Sequence, residues 1–276
     1  VNYFKYTTIY KMSFKNKVVL ITGASSGIGA ATAVTFAKDG ANVVLVGRNE
    51  QKLQKVKEEC SKTGNVPLVV KADVCNDNDA NIIISETIEK FGKINVLVNN
   101  TGKIGFDSIL SDHIMLQFDS IMKTNLRAAV YMTHLAAPHL IKTKGNIINI
   151  SSVAGKRTSK LRPMVSYASS KAALDHFTRN VAAELASYGV RVNLISPGPV
   201  KTDILVNAGI DSSIDDIGKV MPLGRISDSQ EIADLVLFLA SDKAKAITGS
   251  DYITDNGAMF STNVNILSYT TIRVHT

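Results

Sequence analysis

Tyr167 and Lys171 stand four residues apart in Tyr167-Ala168-Ser169-Ser170-Lys171, a spacing that puts both side chains on one face of a helix. A phenol keeps its proton to a pKa of about 10, so alone it is a poor acid or base at neutral pH. A neighbouring ammonium favours the phenolate and draws that value toward the working range. The pair can therefore donate a proton to a carbonyl or, in reverse, take one from an alcohol. Alone the pattern is weak, because a surface tyrosine near a solvated lysine has the same spacing. The surrounding elements decide.

The run Lys17-Val18-Val19-Leu20-Ile21 is apolar and β-branched and reads as a buried parallel strand. Thr22-Gly23-Ala24-Ser25-Ser26-Gly27-Ile28-Gly29 follows it, and Ala33, Phe36 and Ala37 then recur at helical spacing. Strand, glycine turn and helix form the context of a dinucleotide site. Gly23 allows the tight turn, Gly27 lets backbone approach a pyrophosphate, and Gly29 lets helix and strand pack closely. The phosphates would meet free N–H groups at the helix start. A glycine-rich turn that binds nothing is the plainer alternative for this motif alone.

Together the two motifs resemble the short-chain dehydrogenases/reductases, in their branch with one compact domain. The resemblance runs from about Lys17 to about Phe260 and keeps the order of motifs: Thr22 to Gly29, Asp73, Asn99-Asn100-Thr101-Gly102, Asn125, Ser151-Ser152, Tyr167 with Lys171, and Pro197-Gly198. It implies Tyr167 as general acid in reduction and base in oxidation. Lys171 would lower the tyrosine's pKa and hold the nicotinamide ribose. Ser152, the second of its pair, would donate to the substrate oxygen. Asn125 would anchor a water between Lys171 and solvent. Cofactor contacts are implied for Gly23, Ser25, Ser26, Gly27, Ile28, Gly29, Asp73, Val74, Asn99, Gly102, Tyr167 and Lys171, with Pro197, Gly198, Val200 and Thr202 along the nicotinamide amide. For Asp73 alone, a helix N-cap is the other reading. Lys156, Arg157, Lys160 and Arg162 are expected in a basic loop at the substrate mouth, and Asp203 to Arg225 in a lid. Asp255-Asn256-Gly257 stands where the family usually has Asp-Gly-Gly, which implies a change in local packing.

The second strand bears on cofactor choice. Val43-Val44-Leu45-Val46 runs into Gly47-Arg48-Asn49 with no acid. An NAD site uses an acid there for the ribose 2′-hydroxyl, whereas a 2′-phosphate favours a guanidinium. Arg48, with Asn49 beside it and Gly47 leaving room, points to NADP(H) in preference to NAD(H).

Hydrophobic residues make up 45% of the 276 and charged residues 20%, ordinary for a globular chain with a large core. The apolar runs are too short for a membrane span. The net charge of +7 is scattered, unlike the clustered stripe that binds nucleic acid. Cys60 and Cys75 form no C-x-x-C pair, and His113, His134, His139, His176 and His275 show no ligand spacing, so no metal site is expected. The cysteines read as inert thiols of a reducing compartment, hence a cytoplasmic protein.

Residues 1–11 precede Met12-Ser13-Phe14-Lys15-Asn16 and are expected to be non-native or disordered. Residues 12–260 are expected to form one domain, and 261–276 a tail.

Strands are predicted near Val18–Thr22, Asn42–Val46, Val66–Lys71, Val96–Asn99, Asn146–Ile150, Arg191–Ile195 and Asp251–Ile253. Helices are predicted over Ile28–Lys38, Glu50–Thr63, Asp77–Lys90, Leu116–Ile141, Ser166–Ser187 and Gln230–Ala240. This alternation predicts an α/β, doubly wound parallel sheet (a Rossmann fold) with helices on both faces in three layers. Ala128, Ala129, Ala136, Ala137, Ala172, Ala173, Ala182 and Ala183 exceed what one sheet face needs, and predict a homodimer or homotetramer. The expected activity is hydride transfer between NADP(H) and a small-molecule carbonyl or alcohol. The alternatives are an epimerase or dehydratase on the same scaffold, or a non-catalytic dinucleotide-binding protein.

Overall fold

The computed structural model describes residues 13–62, 65–158, 163–204, 214–219 and 221–260. The readings of residues 1–11 and 261–276, and of Lys160 and Arg162, lie outside the described residues.

Among the described residues, seven strands form one parallel sheet in the order β3-β2-β1-β4-β5-β6-β7. They are β1 (Val18–Thr22), β2 (Asn42–Gly47), β3 (Leu68–Lys71), β4 (Val96–Asn99), β5 (Asn146–Ile150), β6 (Arg191–Pro197) and β7 (Asp251–Thr254). Side chains alternate along each strand. In β1, Val19 and Ile21 therefore enter one core while Val18 and Leu20 enter the other. The first core packs helices α1 (Gly27–Lys38), α2 (Glu50–Ser61) and α8 (Ser229–Ala240). The second packs α3 (Asp77–Phe91), α5 (Ala128–Thr143) and α6 (Val165–Leu185). Burial on both faces explains why these strands read as unbroken apolar runs. The strand order reverses between β1 and β4, which opens a crevice at the carboxyl ends of the strands.

The predicted helix Leu116–Ile141 is continuous but not uniform. It consists of α4 (Ile114–Met122), a π-helical turn at Lys123–Arg127, and α5. A π turn is a local widening of the helix that often marks a functional site, and Asn125 lies in it. A short helix, α7 (Ile214–Lys219), lies in the expected lid. Near the end, Asn256 occupies the left-handed region at φ 53°, where glycine is favoured and asparagine tolerated. Its amide donates to Ser227 Oγ at 2.9 Å, so the substitution is absorbed by a new hydrogen bond.

Candidate active site

The glycine turn between β1 and α1 is shaped for a close approach. Gly27 has φ 53°, and a Cβ there would lie 2.8 Å from Thr202 Cγ2. A Cβ on Gly29 would stand 2.3 Å from the Gly23 carbonyl oxygen, so helix and turn meet too tightly for any side chain. Ser26, the N-cap of α1, makes no side-chain capping bond, and the first turn carries no acid. The leading N–H groups and the positive end of the helix dipole are left for an anion, so the turn fits a pyrophosphate. Ile28 is partly buried against the first core and Ser25 lies beside Gly47.

Asn100 stitches this turn to β4, a part sequence reasoning left without a role. Its side chain donates to the Thr22 and Gly23 carbonyls at 3.0 and 3.1 Å. Thr22 Oγ1 in turn accepts from the Asn100 and Thr101 N–H groups. Below them, Asn99 donates to Asn149 Oδ1 at 2.9 Å and to Thr133 Oγ1 at 3.2 Å. The third wall is the exit of β6. There Gly198 N–H donates to the Thr254 carbonyl, Val200 forms a bridge with Ser227, and Thr202 reaches the glycine turn.

Arg48 sits just past β2, 80% exposed at its side chain, with its guanidinium 3.7 Å from Asp73 Oδ2. Asn49 caps α2 by accepting from Lys52 N–H at 2.9 Å. Asp73 is not an N-cap: Asn76 caps α3, while Asp73 Oδ1 accepts from Cys75 N–H. Val74 beside it is buried.

Tyr167 and Lys171 lie in the first two turns of α6, both almost fully buried. The start of that helix is held by Asp107, a buried residue the sequence did not single out. It accepts from the Ser166 N–H and hydroxyl. Lys171 Nζ donates to the Ile150 carbonyl at 2.9 Å and lies 5.8 Å from the Tyr167 ring centre. A Cβ on Gly102 would fall 3.5 Å from Lys171 Nζ and 3.6 Å from Asn125 Oδ1, so the end of β4, the π turn and α6 converge there. Asn125 accepts from Lys103 N–H and donates to the Lys103 carbonyl and to Ser170 Oγ. The Ser152 hydroxyl lies near the Tyr167 phenol, whose pKa it acts to lower, and accepts from Ala154 N–H at 3.2 Å. Ser151 is turned the other way, donating to Asp175.

The electrostatics differ from the sequence expectation. Burial pushes the Tyr167 phenol above its ordinary value, opposed by the Ser152 hydroxyl. Lys171 spends its hydrogen bond on a backbone carbonyl instead of the phenol and does not pull it down. Burial lowers Lys171 itself to about 8, with Asp175 acting against the shift. The expected basic mouth is also corrected for its described members. Lys156 turns inward to Asp175 and Asp251, and Arg157 donates to the Ala258 carbonyl. Two largely covered carboxylates attract the ammonium more strongly than solvent does.

Cys60 is buried, and burial first, then Glu59, raises it to about 11; Cys75 is half-buried and also raised, chiefly by burial. Among the described residues, no group of histidines, cysteines or acids could hold a metal ion. No helix among them is long and apolar enough to cross a membrane.

A glycine cradle at the switch point and a Ser–Tyr–Lys face with a nearby asparagine define a nucleotide-dependent oxidoreductase scaffold, and the relatives of the chain agree. A family profile described as enoyl-(acyl carrier protein) reductase matches residues 23–259. The chain belongs to the short-chain dehydrogenase/reductase family. It is 35% identical over 247 residues to the 3-oxoacyl-(acyl-carrier-protein) reductase FabG of Staphylococcus epidermidis, covering 89% of this chain and 99% of the relative. The FabG of Thermotoga maritima is 34% identical over 249 residues, covering 89% and 99%. Among solved structures, a Caenorhabditis elegans short-chain dehydrogenase/reductase of unknown function with cofactor superposes with a TM-score of 0.85. It shares 35% identity and covers 92% of this chain and 98% of that one. A 7α-hydroxysteroid dehydrogenase complexed with NADH and 7-oxo glycochenodeoxycholic acid gives 0.83 at 31% identity, covering 90% and 96%. The chain is thus a hydride-transfer oxidoreductase by family, with a nicotinamide dinucleotide as cofactor.

Proposed function

We propose that this protein reduces a carbonyl with NADPH, and oxidises the corresponding alcohol with NADP+, using Tyr167 as general acid and base. The observation that carries the reading is the convergence of Ser152, Tyr167 and Lys171 at the carboxyl ends of β4 and β5. NADPH supplies the hydride. Tyr167, held above its ordinary pKa by burial, is protonated at neutral pH and gives its proton to the carbonyl oxygen. Ser152 donates to that oxygen as charge develops on it. Lys171 places a positive charge behind the phenol and is the group for the nicotinamide ribose hydroxyls. Asn125, fixed by three hydrogen bonds, holds the π turn open beside Lys171. The glycine turn, Asp73 and Val74, Asn99 and Gly102, and the stretch from Pro197 to Thr202 make up the cofactor wall. The reaction is tested by a panel of carbonyls scored by loss of NADPH absorbance. 3-Oxoacyl thioesters come first, because the FabG relatives carry that substrate in their name.

The preference for NADP(H) rests on Arg48. Its guanidinium is exposed beside Asp73 at the end of a strand that carries no acid, free to fork onto a 2′-phosphate. An exposed pair contributes little to folding, so Arg48→Ala is expected to fold normally. It should weaken NADPH by about ten- to a hundredfold, from a charge-assisted bond of roughly 1.5–3 kcal/mol, and leave NADH nearly unchanged. Titration of both cofactors against both proteins checks this; equal weakening would place Arg48 elsewhere.

Assembly is part of the same reading. Ala128, Ala136 and Ala182 are buried in the second core and Ala129 is also buried, while Ala172 and Ala183 are exposed. Together with exposed Met115, Leu116 and Val130, they leave an apolar face on the helices that carry Asn125, Tyr167 and Lys171. Pairing of that face across a two-fold axis would bury it. Sedimentation at micromolar concentration is expected to show a dimer or tetramer; a fully active monomer would contradict it. The protein is read as cytoplasmic.

A further inference from the structure

Beneath the Tyr167–Lys171 face lies a second group of charges that the reaction as described does not use. Lys156 follows the 3-10 turn Val153–Gly155, which Ser152 caps. Its ammonium donates to Asp175 Oδ2 at 2.5 Å, to Asp251 Oδ2 at 2.6 Å and to Ser196 Oγ at 2.7 Å. That uses all three of its protons. The other carboxylate oxygens are also held. Asp175 Oδ1 accepts from Ser151 Oγ, and Asp251 Oδ1 accepts from Ser196 Oγ at 2.7 Å. The side chains of Lys156, Asp175 and Asp251 are 19%, 5% and 17% exposed. The cluster joins the exit of β5, the middle of α6, the end of β6 and the start of β7.

Asp175 is four residues after Lys171 and lies one turn along the same face of α6. Two carboxylates and one ammonium give the cluster a net charge of minus one, and its Asp175 acts on Lys171 from one turn along α6. Among the described residues, the groups placed around Lys171 include Tyr167 and Asp175 from α6, the Ile150 carbonyl from β5, Gly102 from the end of β4, Asn125 from the π turn, and Gly155 of the 3-10 turn. Lys103, the nearby cation, sends its ammonium to Ser120. Asp175 is thus the acid that acts on Lys171, and Lys156 is what balances Asp175.

We propose that Lys156 is a positioning residue: through Asp175, and with Asp251, it sets the charge state of Lys171. The inference rests on the reading of Lys171 as part of the reacting face, but its test does not need turnover. Without Lys156, Asp175 acts on Lys171 unbalanced and the ammonium holds its proton to higher pH. Without the Asp251 charge, Lys156 balances Asp175 fully and Lys171 loses its proton earlier.

The experiment follows the Lys171 titration by NMR in protein labelled with 13Cε-lysine, the resonance being assigned by its loss in Lys171→Met. In the wild type, Lys171 should titrate near 8. Lys156→Met should raise that midpoint by about half a pH unit or more. Asp251→Asn should lower it. Lys156→Met combined with Asp251→Asn restores the net charge of minus one and should return the midpoint to within about 0.2 of wild type. Should Lys156→Met fail to fold, the downward shift in Asp251→Asn carries the test. Unmoved midpoints, or shifts of the same sign in both single variants, overturn the proposal. If the midpoints move as stated while no carbonyl is reduced, the proposed function fails and this inference stands.

Discussion

Tyr167→Phe is expected to lose at least a hundredfold, and up to about ten-thousandfold, in turnover, the range for removing a positioned general acid. Phenylalanine fills the same space, so the nearly buried site keeps its packing. The lost hydroxyl gives up only its contact with the nearby Ser152 hydroxyl. Ser152 is not left without a partner, because it still accepts from Ala154 N–H. Folding and NADPH binding should therefore survive while the proton transfer does not. Steady-state rates together with a cofactor fluorescence titration separate the two. A variant that turns over normally would remove Tyr167 from the mechanism.

The second large effect is expected at Lys171, where activity and stability should move in opposite directions. Lys171→Met should lower turnover about a hundredfold or more, as expected for loss of a charge that stabilises the transition state. The same change should stabilise the fold at pH 7. Burial lowers the Lys171 ammonium from 10.5 to about 8, which corresponds to a cost of roughly 3 kcal/mol in the folded state. The bond to the Ile150 carbonyl, about 1 kcal/mol, is lost with the side chain. A net gain of about 1–2 kcal/mol remains, or roughly 2–4 °C in Tm for a chain of this size. The folded-state pKa is the lower one, so between about 8 and 10.5 the unfolded chain binds the extra proton and wild-type stability rises with pH. The advantage of the variant should be full below pH 8 and fade toward 10.5. Denaturant titrations across that range check it; an advantage that grows with pH would contradict a buried, charged Lys171.

The sheet was legible because parallel strands covered on both faces leave apolar runs that nothing else in the chain imitates. β1, β4 and β5 match their predicted spans residue for residue. The glycine turn and the Tyr167–Lys171 pair were legible for a similar reason, since each is a local pattern whose geometry is fixed by its own helix or turn. The π turn was not, because Lys123–Arg127 carries no residue that breaks an α-helix, and its widening comes from Asn125 bonding across to Lys103. The direction of Lys156 was hidden for a different reason. A long basic side chain goes to solvent unless acids meet it, and one of those acids, Asp251, arrives from a strand 95 positions away. Asp175 could have been suspected from its helical spacing to Lys171. Asp107, which caps α6 from a loop 59 positions earlier, could not. The low pKa expected of Tyr167 came from counting a neighbouring charge without the burial that outweighs it.

The most direct test uses NADPH carrying deuterium at the transferred position of its nicotinamide ring, with a 3-oxoacyl thioester or another carbonyl from the panel. The expected result is one deuterium on the carbinol carbon of the product for each NADPH consumed, with both lost in Tyr167→Phe. Product formed without deuterium and without net cofactor oxidation would instead make the chain an epimerase or dehydratase on this scaffold. Binding of NADPH with no turnover across the panel would contradict the reductase reading outright.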